Sequence, residues 1–195
     1  QVCAQGNGQP DDQVFAEYSA GYDKTLKDYY KYDVAKAKAL LADAGYANGF
    51  TIKMPILTAF GTTCPFAYRD MLAQIGVKVD FQDTTFATFF ADLQAPKYPM
   101  YWMVLERSAN EWQFVQFLLA RDAAWNPSGY GDATSDALIA KIRTTTGAAQ
   151  AAALKSLNKY IVTQAWFSPF YQNTGYFAYN PKVVKVTTQQ SNDLT

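Results

Sequence analysis

Apolar positions between residues 33 and 45 return at helical spacing: Val34, Ala37, Leu41 and Ala44 share a face with Leu40 beside them, while Lys36, Lys38 and Asp43 point elsewhere. Asp33 stands where a carboxylate can accept from an orphan N–H of the first turn, and Gly45 stands where a left-handed stop is needed. The stretch therefore predicts a capped helix. Tyr46 can pack on Leu41, and Asn48-Gly49 turns the chain. From Phe50 the period changes to two: Phe50, Ile52, Met54 and Ile56 alternate with Thr51, Lys53 and Pro55, which predicts a strand with unlike faces.

The same signals recur downstream. A second helix is expected from about Pro65, with Tyr68, Met71, Leu72 and Ile75 on one face and Gly76 as its stop. Residues 76–81 alternate again, as a short strand does. Thr84 or Thr85 can cap a third helix carrying Phe86, Phe89, Phe90 and Leu93, with Pro96 just beyond it. The run Met-Tyr-Trp-Met-Val-Leu at 100–105 is apolar without alternation, which predicts a strand covered on both faces. Helix and strand in this alternation imply right-handed crossovers, so the fold class expected is α/β: a mainly parallel mixed sheet with helices on both faces.

Past residue 110 the pattern turns helical, through Trp112, Val115, Leu118 and Leu119, then Leu138, Ile139 and Ile142, then Leu154, Leu157, Ile161 and Val162. A turn-rich loop at 121–132 separates the first two groups, and Gly147 the last two. Two strand-like segments, 167–179 and 182–187, flank Asn180-Pro181. There is no internal repeat and no low-complexity tract.

Composition narrows the classes. With 195 residues, 49% of them hydrophobic, the chain can bury one sizeable core, as one domain or two small ones. Lys and Arg number 17 against 17 Asp and Glu, scattered along the chain, so no net field favours nucleic acid or an anionic membrane. No apolar run approaches the roughly 20 residues of a membrane span. The chain begins at Gln1 without a basic and apolar leader, so any targeting segment or membrane anchor is expected outside it. Cys3 and Cys64 match no metal or redox motif; they fit either two buried thiols or one bridge suited to an oxidising compartment.

The chain has no histidine, which removes the commonest general base and the commonest imidazole metal ligand. No G-x-S-x-G elbow, Walker loop or G-x-G-x-x-G occurs, and Cys64 has no imidazole partner. No cofactor or metal is implied. Asp11, Asp12, Asp80, Asp83, Asp132 and Asp136 stand at turns or helix starts, where capping and solvation explain them. Glu106 and Glu111 differ, because they follow the apolar run 100–105 and ligands of open parallel sheets collect beyond the carboxyl ends of strands. Trp102, Glu106, Arg107, Ser108, Asn110 and Trp112 could stack on a ligand and hydrogen-bond its edges; equally, the tryptophans fit a core and Glu106-Arg107 a solvated pair. Tyr29, Tyr30 and Tyr32 cannot all face one core and suit the cover of a neighbouring surface.

The segment YYKYDVAKAKALLADAGYANGFTIKM at 29–54 resembles the Y-D-P-x-K-A-K-x-L-L-x-E-A-G-Y-x-x-G-F element of family 5 extracytoplasmic solute-binding proteins of ABC importers, which bind dipeptides, oligopeptides or nickel. Val34 replaces the family's proline at a first-turn position that either residue can fill. MLAQIGVKVDF at 71–81, NPSGYGDATSDALIAKIR at 126–143 and LKSLNKYIVTQAWFSPFY at 154–171 are similar to later elements of that family in the same order. The resemblance implies a class II periplasmic-binding-protein-like lobe. Because members have two lobes and are more than twice as long, it also implies that 1–195 is a single C-terminal lobe, with 1–10 and 188–195 as crossings to a missing N-terminal lobe.

It further implies capture of a small-molecule solute between lobes and delivery to an ABC permease, outside the cytoplasm, without catalysis. Dipeptide binders carry an Asp in a W-x-x-D segment; here Trp102 matches, Leu105 takes the Asp position and Glu106 follows. The family's carboxylate-binding Arg falls near Thr62 or Thr63, with no Arg before Arg69. The cleft wall expected from Phe60, Thr62, Thr63, Trp102, Leu105, Glu106 and Asn110 is therefore neutral and aromatic, for an uncharged or weakly charged solute or an atypical peptide. Two alternatives stand beside it: a hydrolase or transferase using Glu106 with Glu111, and a chaperone or signalling surface.

Overall fold

In the computed structural model the described residues are 3–4, 8–104, 110–172 and 178–185. They fall into two compact units, Gln1–Gly6 with Lys31–Val104, and Asn7–Tyr30 with Leu105–Thr195.

The first unit is built on a parallel strand pair. Helix α1 (Val34–Asp43) is capped by the Asp33 carboxylate, which accepts from the Lys36 N–H at 2.8 Å. It ends at Gly45 in the left-handed region, with the Tyr46 N–H reaching back to the Leu41 carbonyl at 2.7 Å. Strand β1 (Phe50–Ile56) pairs in parallel with β2 (Val77–Asp83), in a register running from Phe50 opposite Val77 to Ile56 opposite Asp83. Helix α2 (Thr63–Ala73) makes the crossover and packs on β2, and α3 (Phe86–Gln94), capped by Thr85, follows β2. Met54, Ile56, Val77, Phe89 and Leu93 are buried. The helix–strand order and the parallel pairing are those that the hydrophobic pattern predicts.

The strands start together because two glycines touch. Gly49 has φ +70° and Gly76 φ +86°, and the Phe50 N–H donates to the Gly76 carbonyl at 3.3 Å. A Cβ on Gly49 would lie 2.0 Å from that carbonyl oxygen, far inside contact distance, so the approach requires glycine. Cys3 and Cys64 form a disulfide with their Cα atoms 4.9 Å apart across 61 residues of sequence, tying the N-terminal segment to the first turn of α2. Closing a loop of that length contributes about 4 kcal/mol on a chain-entropy account.

The apolar run 100–105 departs from expectation over its described residues, 100–104. Residues 100–104 form no strand, and Val104 is 76% exposed. The run is held by single side chains instead of a backbone ladder. The Tyr101 hydroxyl donates to the Asp92 carbonyl in α3 at 2.7 Å, and Trp102 packs on Tyr68 of α2 with ring centroids 5.5 Å apart. Among the described residues the sheet accordingly has two strands.

The second unit is helical. Helix α4 (Glu111–Phe114) runs into a π-helical turn, Val115–Leu119, closed by the Ala120 N–H on the Val115 carbonyl. Helices α5 (Ala133–Thr144) and α6 (Gly147–Thr163) pack together. Their core joins Phe15, Phe114, Val115, Leu118, Leu119, Ile142, Leu154, Leu157 and Ile161. Asn158 interrupts the apolar face of α6 for a reason: its buried amide donates to Gln13 Oε1 at 2.6 Å and to the Gly21 carbonyl at 2.9 Å, fastening residues 13–21 to the helix. Of the strand-like segments expected near the C-terminus, residues 173–177 and 186–187 lie outside the described residues; among the described ones Gln172 forms an antiparallel bridge with Gln9, and Asn180 Oδ1 accepts from the Lys182 N–H in a turn.

The glycine contact yields a test. Gly49→Ala should cost more than about 2 kcal/mol of unfolding free energy, whereas Gly45→Ala, with open space around it, should cost about 1 kcal/mol from its backbone angle alone. Urea midpoints measure both, and equal losses would show that the contact does not set the register.

Candidate functional site

Because β1 and β2 end flush, the segments leaving them share the carboxyl edge of the parallel pair, the edge where such sheets hold ligands. After β1 the chain makes a 3-10 turn, Thr58–Phe60, passes Gly61 at φ +94° and enters α2 at Thr62. After β2 it enters α3 at Phe86. The Thr58 hydroxyl donates to the Asp83 carboxylate at 3.0 Å, tying the two exits together. Above that bond Phe60 and Phe86 pair at 6.2 Å although they remain 75% and 59% exposed, and Phe86 leans on Phe90 at 4.6 Å. Two large rings left in solvent at a strand edge offer an apolar contact that the core does not use.

Thr62 and Thr63 stand at the start of α2, Thr62 half-buried and Thr63 exposed; the Thr62 side chain makes no capping bond. Trp102 belongs to the same unit and lies against Tyr68. Leu105 and Glu106 lie outside the described residues. Asn110 belongs to the second unit, where its side-chain oxygen caps α4 by accepting from the Trp112 and Gln113 N–H groups at 2.9 and 3.4 Å. Of the residues expected to line a site, the structure brings Phe60, Thr62 and Thr63 together on one edge.

The Glu111 carboxylate accepts from the Ser19 hydroxyl at 3.2 Å and the Ala20 N–H at 3.0 Å, so it clamps a loop. The turn-rich loop 121–132 is held both locally and by its neighbours: the Trp125 N–H donates to the Phe117 carbonyl, and Tyr130 packs on Trp166. Asn126 donates to the Ala120 and Tyr130 carbonyls and accepts from the Tyr130 N–H, and Asp132 caps α5. The Tyr160 hydroxyl, together with the Ser135 and Thr134 N–H groups, holds the Asp132 carboxyl below the usual range. That shift belongs to a helix cap on an exposed surface, as the one on Asp23, driven by Thr25, belongs to a turn. Burial pushes the Tyr101 phenol up, consistent with its bond to Asp92. Among the described residues no group of three or more His, Cys, Asp or Glu could hold a metal, and no helix is long and apolar enough to cross a membrane.

Nothing in the sequence marks Phe86, Thr58 and Asp83 as residues of the edge. The helical pattern assigned Phe86 to the core face of α3, but only Phe89 and Leu93 are buried there. The available signal was positional: Phe86 is the first residue of a helix directly after a strand, where a core contact is hardest to make.

Residues 1–124 match the model of "Bacterial extracellular solute-binding proteins, family 5 Middle". The chain belongs to this family. Solved structures agree on the fold: the PBP AgaA of A. tumefaciens R10, in complex with agropinic acid, is 23% identical with TM-score 0.78, over 87% of this chain and 36% of its own. The ABC transporter-associated periplasmic binding protein DppA of Helicobacter pylori, in complex with peptide STSA, is 23% identical with TM-score 0.76, over 86% and 34%. The dipeptide-binding protein of Pseudoalteromonas sp. SM9913, in complex with Met-Leu, is 20% identical with TM-score 0.74, over 88% and 36%. The chain thus spans about a third of the length of these structures. No curated protein sequence matches it.

The Glu111 clamp is testable. Glu111→Ala should lower stability by about 0.5–1.5 kcal/mol by removing the acceptor shared by the Ser19 and Ala20 donors, while Glu111→Gln, which keeps an acceptor, should lose less. Thermal unfolding of the two variants checks this; no loss in either would free Glu111 for another role.

Proposed function

We propose that residues 1–195 are the C-terminal lobe of a two-lobed solute-binding protein of an ABC importer, with 1–10 and 188–195 as crossings to the N-terminal lobe. The lobe supplies one wall of a cleft that captures a small solute and passes it to the permease. Family membership supports binding over catalysis, and so does the engagement of Glu111 in a structural clamp. The Cys3–Cys64 disulfide suits an oxidising, extracytoplasmic compartment.

The observation that carries the solute class is the strand edge itself. Where family resemblance puts a carboxylate-binding Arg, this chain has Thr62 and Thr63, and beside them stand exposed phenylalanine rings. Such a wall favours an uncharged or weakly charged solute, or an atypical peptide, held by apolar contact and a few hydrogen bonds. Phe60, Thr62, Thr63, Trp102, Leu105, Glu106 and Asn110 are the residues assigned to it. The structural neighbours' ligands, agropinic acid and peptides, show that this fold accommodates varied small molecules.

Native mass spectrometry of the complete protein, purified without added ligand, followed by calorimetric titration of candidates, tests the assignment. The expected result is a retained small solute of low charge, bound far more weakly by 1–195 alone because one wall buries less of it. Tight binding of unmodified dipeptides with no binding of neutral amides or sugars would overturn the solute class. Full affinity in 1–195 alone would overturn the two-lobe account.

A further inference from the structure

The Thr58–Asp83 bond places a carboxylate where the exposed rings are. Thr58 opens the turn that carries Phe60, and Asp83 ends the strand three residues before Phe86, so the acid and both rings share one corner. The acidic partners of ion pairs among the described residues are Asp70, Asp92 and Asp136; Asp83, itself exposed, is in none. Its carboxylate accepts from a neutral hydroxyl, which positions the group without neutralising it. A carboxylate and two exposed rings carried by the same two strand exits suit an organic cation whose charge is spread over apolar substituents. Such a cation gains from the negative faces of the rings and from the carboxylate, and it is desolvated more easily than a metal ion.

We propose that Asp83, Phe60 and Phe86 form a subsite for a substituted ammonium group of the solute, with Thr58 as a positioning residue that orients the Asp83 carboxylate. The proposal rests on the solute-binding reading above and narrows its weakly charged solute to one bearing a single positive charge. The sequence gives no such hint, since Asp83 there has only the look of a solvated strand end. Register makes the difference: Ile56 opposite Asp83 brings the two exits level, and the Thr58 bond then joins them.

The test is calorimetric titration of the complete protein with choline and with its uncharged isostere 3,3-dimethylbutan-1-ol. Choline should bind about tenfold or more tighter than the alcohol, a preference of the size expected for a cation at an aromatic and anionic site. Asp83→Asn should erase the preference by weakening choline about tenfold while leaving the alcohol unchanged. Phe60→Leu and Phe86→Leu should each weaken choline several-fold. Thr58→Val breaks the hydrogen bond but keeps the carboxylate, and it should weaken choline by no more than about threefold. Equal affinity for the two probes, or no binding of choline, would overturn the subsite. So would a Thr58→Val loss as large as that of Asp83→Asn, which would make the effect one of loop order. A protein that retains some other solute yet ignores choline would leave the solute-binding reading standing and remove this one. A protein that retains nothing and ignores both probes would remove both.

Discussion

The contact between the Gly49 and Gly76 backbones governs what the first unit can do. A Cβ on Gly49 would collide with the Gly76 carbonyl, so glycine there is what lets β1 and β2 begin side by side, and seven residues later they end side by side at Ile56 and Asp83. A slip of one residue would turn Met54 and Ile56 out of the core and separate the two exits. In the observed register, the turn after β1 and the start of α3 after β2 meet on one edge, joined by a single hydroxyl–carboxylate bond. The exposed pair Phe60 and Phe86 is a consequence of that geometry, since neither ring has a core position to fall into.

Legibility in the sequence followed how local the determining interaction was. The α1 cap, its Gly45 stop and the Thr85 cap of α3 each depend on residues within a few positions, and each is readable; β1 is readable as a strand, but its expected alternation fails at Pro55, which is buried like Met54 and Ile56 on either side of it. The run 100–104 was misread because its apolar character serves side-chain contacts, Tyr101 on a helix carbonyl and Trp102 on Tyr68, which periodicity does not encode. Asn158 was invisible for a related reason: a polar residue on an apolar helix face makes sense only once Gln13 and Gly21 are known to meet it. The α4 region was half legible, since its buried positions followed the helical spacing while the π turn from Val115 to Leu119 did not announce itself.

The candidate site shows the same division. Phe60, Thr62 and Thr63 are expected at the site from the family resemblance. Asp83, Thr58 and Phe86 depend on strand register, a long-range property. Asn110 and Glu111 stand out in the sequence because they follow the apolar run 100–105; in the structure each accepts from backbone N–H groups, Asn110 capping α4 and Glu111 holding residues 19–20. Carboxylates and amides near a suspected site are often there to satisfy buried or terminal backbone groups, and only the partner list separates the two uses.

The central claim is that the carboxyl edge of the β1–β2 pair faces the solute. Hydrogen exchange on the complete protein, with and without its retained solute, measures this directly, because amides that a ligand covers or stiffens exchange more slowly. The account predicts slowed exchange in residues 57–63 and 83–90, with the loop 126–131 unchanged. Protection confined to other segments, with 57–63 and 83–90 exchanging alike in both states, would contradict it.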